Sequence, residues 1–117
     1  MFELQEAKVT QREIDRALPL WQRLLDIPEW SIVVVNGTAE QLILEGQQCW
    51  GITHIEPEEL RARIFLRRGA GVDTLVHELL HVVVDGDKED LGPYNIHHER
   101  AINRIANALV TLAREAK

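Results

Sequence analysis

A chain of 117 residues with 45% hydrophobic and 27% charged side chains can build one compact domain with a modest core. Its net charge of −6, from 19 acidic against 13 basic residues, leaves no basic stripe for nucleic acid. Arg61, Arg63, Arg67 and Arg68 lie close together but read as solvated strand ends. Cys49 is the only cysteine, which excludes an internal disulfide and a thiolate metal cluster. No apolar run approaches the ~20 residues of a membrane span. Met1–Glu6 lacks the basic and apolar regions of a signal peptide. The expectation is a cytoplasmic protein without a membrane or nucleic-acid partner.

Residues 1–9 carry little signal. Thr10-Gln11-Arg12-Glu13 fits a capping box, and Ile14, Leu18, Trp21, Leu24 and Leu25 then recur at helical spacing to about Ile27. Pro19 lacks the N–H that the helix needs, so a kink or two short helices are expected there. Trp30-Ser31-Ile32-Val33-Val34-Val35 is short and β-branched, and Asn36-Gly37 closes it as a strand. Residues 39–46 fit a short helix or a strand equally well. Cys49 to Glu56 reads as a second strand through Trp50, Ile52 and Ile55, and Arg61 to Arg68 as a third. In the third, Ile64 and Leu66 share one face and Phe65 lies opposite with the arginines.

Leu75-Val76-His77-Glu78-Leu79-Leu80-His81-Val82-Val83-Val84 is apolar except for three residues, the pattern of a buried helix. Asp73 or Thr74 is the expected N-cap, and Gly86 the expected left-handed residue at its end. After a polar loop from Asp87 to Pro93, Asn95 can cap a last helix running to about Ala116. Its core stripe reads Ile102, Ile105, Ala106, Leu109, Leu112 and Ala113. The fold class that follows is α+β: an N-terminal helix, a small sheet of three or four strands, a buried helix and a C-terminal helix.

The three polar residues of the buried helix call for a common explanation. A buried carboxylate without a partner costs several kcal/mol or is forced to neutralise. His77 and His81 project from one helical face a turn apart, with Glu78 beside them. That is the H-E-x-x-H spacing, in which two imidazoles hold one zinc ion and the glutamate stands against the water that the metal activates. In this role Glu78 is the general base and then the general acid. Two core histidines satisfied by hydrogen bonds are the plainer alternative.

Catalytic zinc takes three protein ligands, and the last helix offers the third. Glu99 lies three residues before Ile102 and seven before Ala106, on the apolar face, and is the first choice. His98 and then His97 are the alternatives, and a carboxylate merely answering the helix dipole is the competing explanation for Glu99. Asn103, a turn beyond Glu99, can hydrogen-bond a ligand. Tyr94, His97 and His98 are within reach as oxyanion donors. Asp85, one turn beyond His81, either orients a ligand or ends the helix. His54 reads as structural.

His77-Glu78-Leu79-Leu80-His81 followed by Glu99-Arg-Ala-Ile-Asn103-Arg-Ile-Ala106 resembles the gluzincin metallopeptidases, particularly the small minigluzincins. The E-x-x-x-N-x-x-A pattern is also similar to the ImmA/IrrE-type peptidases. The resemblance is firm over residues 72–109 and topological over residues 10–68. It implies a zincin-like domain holding one zinc, whose edge strand (residues 49–55 by analogy) pairs with an extended peptide or protein substrate. Two departures stand out. Val84 and Asp87 occupy the positions where the metzincin pattern requires Gly and His, which removes that branch. Asn103 replaces the aspartate that several gluzincins use to orient a ligand histidine. The leading expectation is a zinc endopeptidase. A zincin-fold binding or regulatory module with structural or no zinc, and a latent self-inhibited peptidase, are the alternatives.

Overall fold

The computed structural model describes residues 11–44, 46–86 and 96–116. The expected Thr10 cap, Tyr94 and the Asn95 cap lie outside these residues. The elements run α1 (Gln11–Leu24), β1 (Ser31–Asn36), β2 (Ile43–Leu44), β3 (Gln47–Gln48), β4 (Gly51–Glu56), β5 (Arg61–Leu66), α2 (Val72–Asp85) and α3 (Ile96–Glu115). The architecture is α+β, with three helices, a mixed three-stranded sheet and a separate two-stranded ribbon.

The helix expected to break at Pro19 is continuous across it. Pro19 and Asp15, the residue four positions earlier, are both exposed, so water can take the place of the missing N–H. Ile14 and Trp21 face inward and are buried. The ambiguous stretch at 39–46 contributes the short strand β2, which pairs with β3 as a ribbon and does not extend the main sheet.

In the main sheet β5 is central, parallel to β1 and antiparallel to β4. The alternation of β5 puts Ala62, Ile64 and Leu66 into the core, with Arg61 and Arg63 exposed, as the sequence pattern anticipates. Val34 of β1 sits opposite Ile64, and both are buried. On β4 the register sets Gly51 against Leu66, Thr53 against Ile64 and Ile55 against Ala62. The inward face of β4 is therefore Gly51, Thr53 and Ile55, and its apolar Ile52 belongs to the other face.

Helix α2 lies over β4 and β5, and α3 packs on α2. Leu75, Val76, Leu79, Leu80 and Val82 are buried, while Val83 and Val84 are about two-fifths exposed at the last turn. The helix starts two or three residues earlier than its expected caps suggest: Gly71 is the N-cap and Asp73 falls within the first turn, where its charge favours the dipole. Gly86 has right-handed helical backbone (φ −63°), not the left-handed conformation expected of it. Its lack of a side chain serves packing instead, because a Cβ there would come within 2.9 Å of the Trp30 ring. Trp30 forms a second small core with Ile27, Ala62 and Val82. The core face of α3 is Ile102, Ala106 and Val110, whereas Ile105 and Leu112 are 47% and 62% exposed. The fully buried row is thus i, i+4, i+8, and the expected Leu109 and Ala113 pack partly buried against the same core.

Candidate metal centre

His77, Glu78 and His81 come from the middle of α2, and Glu99 comes from the first turn of α3 packed against it. The His77 Nε2–H donates to Glu99 Oε1 at 3.1 Å. The His81 Nε2 lies 2.8 Å from Glu99 Oε2. One carboxylate therefore spans two imidazoles held a helical turn apart. The ligand atoms of His77, His81 and Glu99 all lie within 4.8 Å of one another. Tetrahedral ligands at zinc distances stand about 3.3 Å apart. The two nitrogen–oxygen separations are slightly shorter than this, so small side-chain adjustments would suffice for a metal ion to take the place of the bridging protons. Two imidazoles and one carboxylate are also a donor set suited to zinc, and three ligands leave a position open.

The surrounding electrostatics follow from this packing. Burial alone would make His81 easier to deprotonate, but hydrogen bonds to Glu99 and Asp85 outweigh it and push the imidazole up to about 9. Both ring nitrogens are then donors: Nε2 towards Glu99 and Nδ1 towards Asp85 Oδ2 at 3.0 Å. The two histidine donors hold Glu99 well below the usual carboxylate range. Asp85 is only 5% exposed. Its Oδ2 also accepts from His98 Nε2 at 3.2 Å.

Asp85 thus carries the orienting contact that the sequence left open between it and the end of the helix. A ligand histidine that donates its second N–H to a carboxylate is fixed in orientation and tautomer. His98 joins this arrangement through Asp85, its ring centre 5.8 Å from that of His81. His81, Asp85 and His98 form a second group with metal-ligating atoms within 4.8 Å, but it needs the opposite nitrogen of His81. A neutral imidazole cannot serve both groups at once. His97 and Asn103 are exposed. Asn103 makes no hydrogen bond to a ligand among the described residues, so the orienting contact expected from it is supplied by Asp85.

Glu78 is 5% exposed, and burial raises its pKa while a hydrogen bond from Thr53 opposes the rise. The Thr53 Oγ1–H donates to Glu78 Oε1 at 2.7 Å. The other oxygen, Oε2, lies 3.9 Å from His77 Nε2. Sequence reading missed Thr53 and Gly51. The apolar Trp50 and Ile52 that mark this segment as a strand stand one residue out of phase with the face of β4 that meets α2. A Gly-x-Thr alternation next to a buried carboxylate becomes a signal only once the strand's phase is known.

One long side of β4 is open, with no described strand beyond it. Arg67 N–H donates to Trp50 C=O at 2.8 Å, and these residues are direct cross-strand partners by continuation of the register. Hydrogen-bonded pairs alternate in an antiparallel ladder. Ile52, His54 and Glu56 therefore bond inward to β5, and the backbone groups of Gly51, Thr53 and Ile55 point out to the open edge. The neighbouring arginines have structural accounts: Arg61 pairs with Glu56 and Glu59, and Arg67 lies 4.5 Å over the Trp50 ring. No described helix is long and apolar enough to cross a membrane. Against known proteins, the chain matches no family model, no curated protein and no solved structure.

Proposed function

We propose that this protein is a zinc-dependent peptidase of the gluzincin kind, with His77, His81 and Glu99 holding the metal and Glu78 acting as general base and acid. The observation that carries this reading is the pairing of Glu78 with the cluster. A purely structural zinc site has no need of an additional, nearly buried carboxylate 3.9 Å from one of its histidines. A bound zinc ion lowers the pKa of water and polarises a carbonyl. The residues of the chain do the rest. Glu78 Oε2 faces the His77 side of the cluster, takes the proton from the attacking water and returns it to the leaving amine. Asp85 holds the His81 ring, and the raised pKa of Glu78 suits a group that must both accept and give a proton.

The open edge of β4 supports a peptide as the substrate class. Among the described residues no strand pairs with the backbone of Gly51 and Thr53 beside Glu78, so an extended chain added there would lie along the catalytic carboxylate. Replacing Glu78 with Gln tests the assignment. The expected result is a loss of at least about a hundredfold in peptide hydrolysis, with zinc binding and fold retained. Undiminished turnover in E78Q would remove Glu78 from the chemistry.

A second reading has one observation in its favour. His77, His81, Glu99 and Asp85 already satisfy one another through hydrogen bonds, an arrangement that a metal-free binding module could keep. A zinc titration separates the two readings.

A further inference from the structure

Glu78 is held from β4 as well as from its own helix. Thr53 stands opposite Ile64, which is fully buried, and is the one hydroxyl on the inward face of that strand. Its Oγ1 lies 2.7 Å from Glu78 Oε1 and 3.3 Å from the Glu78 carbonyl oxygen, and its single proton goes to the nearer acceptor, the carboxylate. Two residues earlier on the same face is Gly51. A Cβ built there would lie 3.0 Å from both Cγ and Oε2 of Glu78 and 3.2 Å from Cδ. That is tighter than ordinary packing allows. The glutamate side chain therefore rests in a notch whose floor is the bare Gly51 backbone and whose wall is the Thr53 hydroxyl.

We propose that Thr53 is a positioning residue: seated beside the Gly51 notch, it engages Oε1 of Glu78 so that Oε2 is the oxygen offered to the attacking water and then to the leaving amine. This inference rests on the peptidase reading and goes beyond it. An unanchored glutamate has three rotatable bonds and two equivalent oxygens, and each wrong arrangement withdraws the base from its proton. The same residue turns its backbone N–H and C=O to the open edge of the sheet. Thr53 thus joins the strand on which a peptide would be aligned to the carboxylate that acts on it, fixing one relative to the other.

The test compares Thr53→Val, which keeps shape and β-branching but removes the hydroxyl, with Thr53→Ser, which keeps the hydroxyl. In the zinc-loaded protein T53V is expected to lower kcat about 10- to 100-fold with KM and zinc affinity little changed, because the edge backbone and the ligands are untouched. T53S should stay within about threefold of the unmodified protein. A merely structural Thr53 would shift thermal stability without separating kcat from KM, and serine would not restore the rate. The second readout is a crystal structure of each metal-free variant: Glu78 should leave the notch in T53V and keep its place in T53S. Thr53→Ala serves in the same way should T53V not fold. Unchanged kcat in T53V, or a Glu78 side chain that stays put without the hydroxyl, overturns the proposal. If the unmodified protein cleaves no peptide, the peptidase reading falls alone. The position of Glu78 in the metal-free variants still decides whether Thr53 holds it.

Discussion

His81 shows how much chemistry a single side chain can hold. It presents Nε2 to Glu99 and Nδ1 to Asp85, and both acids favour its protonated form. With the folded pKa near 9 and the ordinary value at 6.5, the stabilisation from this proton is complete below about 6.5 and is lost as pH rises through about 9. Glu99 runs the other way. Its lowered pKa contributes stability above its ordinary value of 4.5, which is lost on acidification. For metal uptake the sign is clear: a zinc ion must displace the proton on His81 Nε2. Apparent zinc affinity should therefore rise about tenfold per pH unit from pH 7 towards 9, with one proton released per ion. Calorimetric titrations in buffers of different ionisation enthalpy measure that proton directly. An affinity indifferent to pH over this range would mean that Nε2 is not a ligand.

At the scale of elements, what could be read depended on whether one face was chemically distinct. The H-E-x-x-H helix announces itself because three polar groups interrupt a run of large apolar ones, and Glu99 stands out for the same reason near Ile102. The alternation of β5 is legible because arginines mark its outer face. On β4 both faces carry apolar or small residues, so the phase was invisible and the Gly51–Thr53 notch with it. On α3, Ile105 and Leu112 look like core residues, yet the packed face is narrow: it buries the Ile102, Ala106, Val110 row, with Leu109 and Ala113 partly buried beside it. The register of the contact decides this, and hydrophobicity along one chain does not contain it. Asp85 was ambiguous because its role depends on the side of α2 that His98 approaches. Pro19 marks a further difference, since the helix persists where a break was expected. Exposure of Asp15 and Pro19 allows water to stand in for the N–H that proline lacks, at some cost to the helix. Pro19→Ala should then stabilise the protein by about 1–2 kcal/mol. Thermal unfolding would register this as a rise of roughly 4–8 °C. A lower melting temperature would indicate that the proline shapes α1 in a way its partners require.

Across the whole molecule, the candidate centre belongs to no single element. Helix α2 supplies two imidazoles, Glu78 and Asp85, while α3 supplies Glu99 and His98. The edge strand β4 supplies the notch in which Glu78 rests. A chain of this size has a limited core, so a metal that joins α2 to α3 would also strengthen their packing. Zinc at a thousand times its dissociation constant would add about 4 kcal/mol to stability. His77, His81 and Glu99, which stand out in the sequence as polar residues on apolar helix faces, lie together in the structure.

The measurement that tests this most directly is a zinc titration of the unmodified protein beside Glu99→Ala. The account predicts one tightly held zinc ion per chain and an affinity reduced by at least about a hundredfold in E99A, since one of three ligands is lost. Zinc bound equally well without Glu99, or no zinc bound at all, would contradict it.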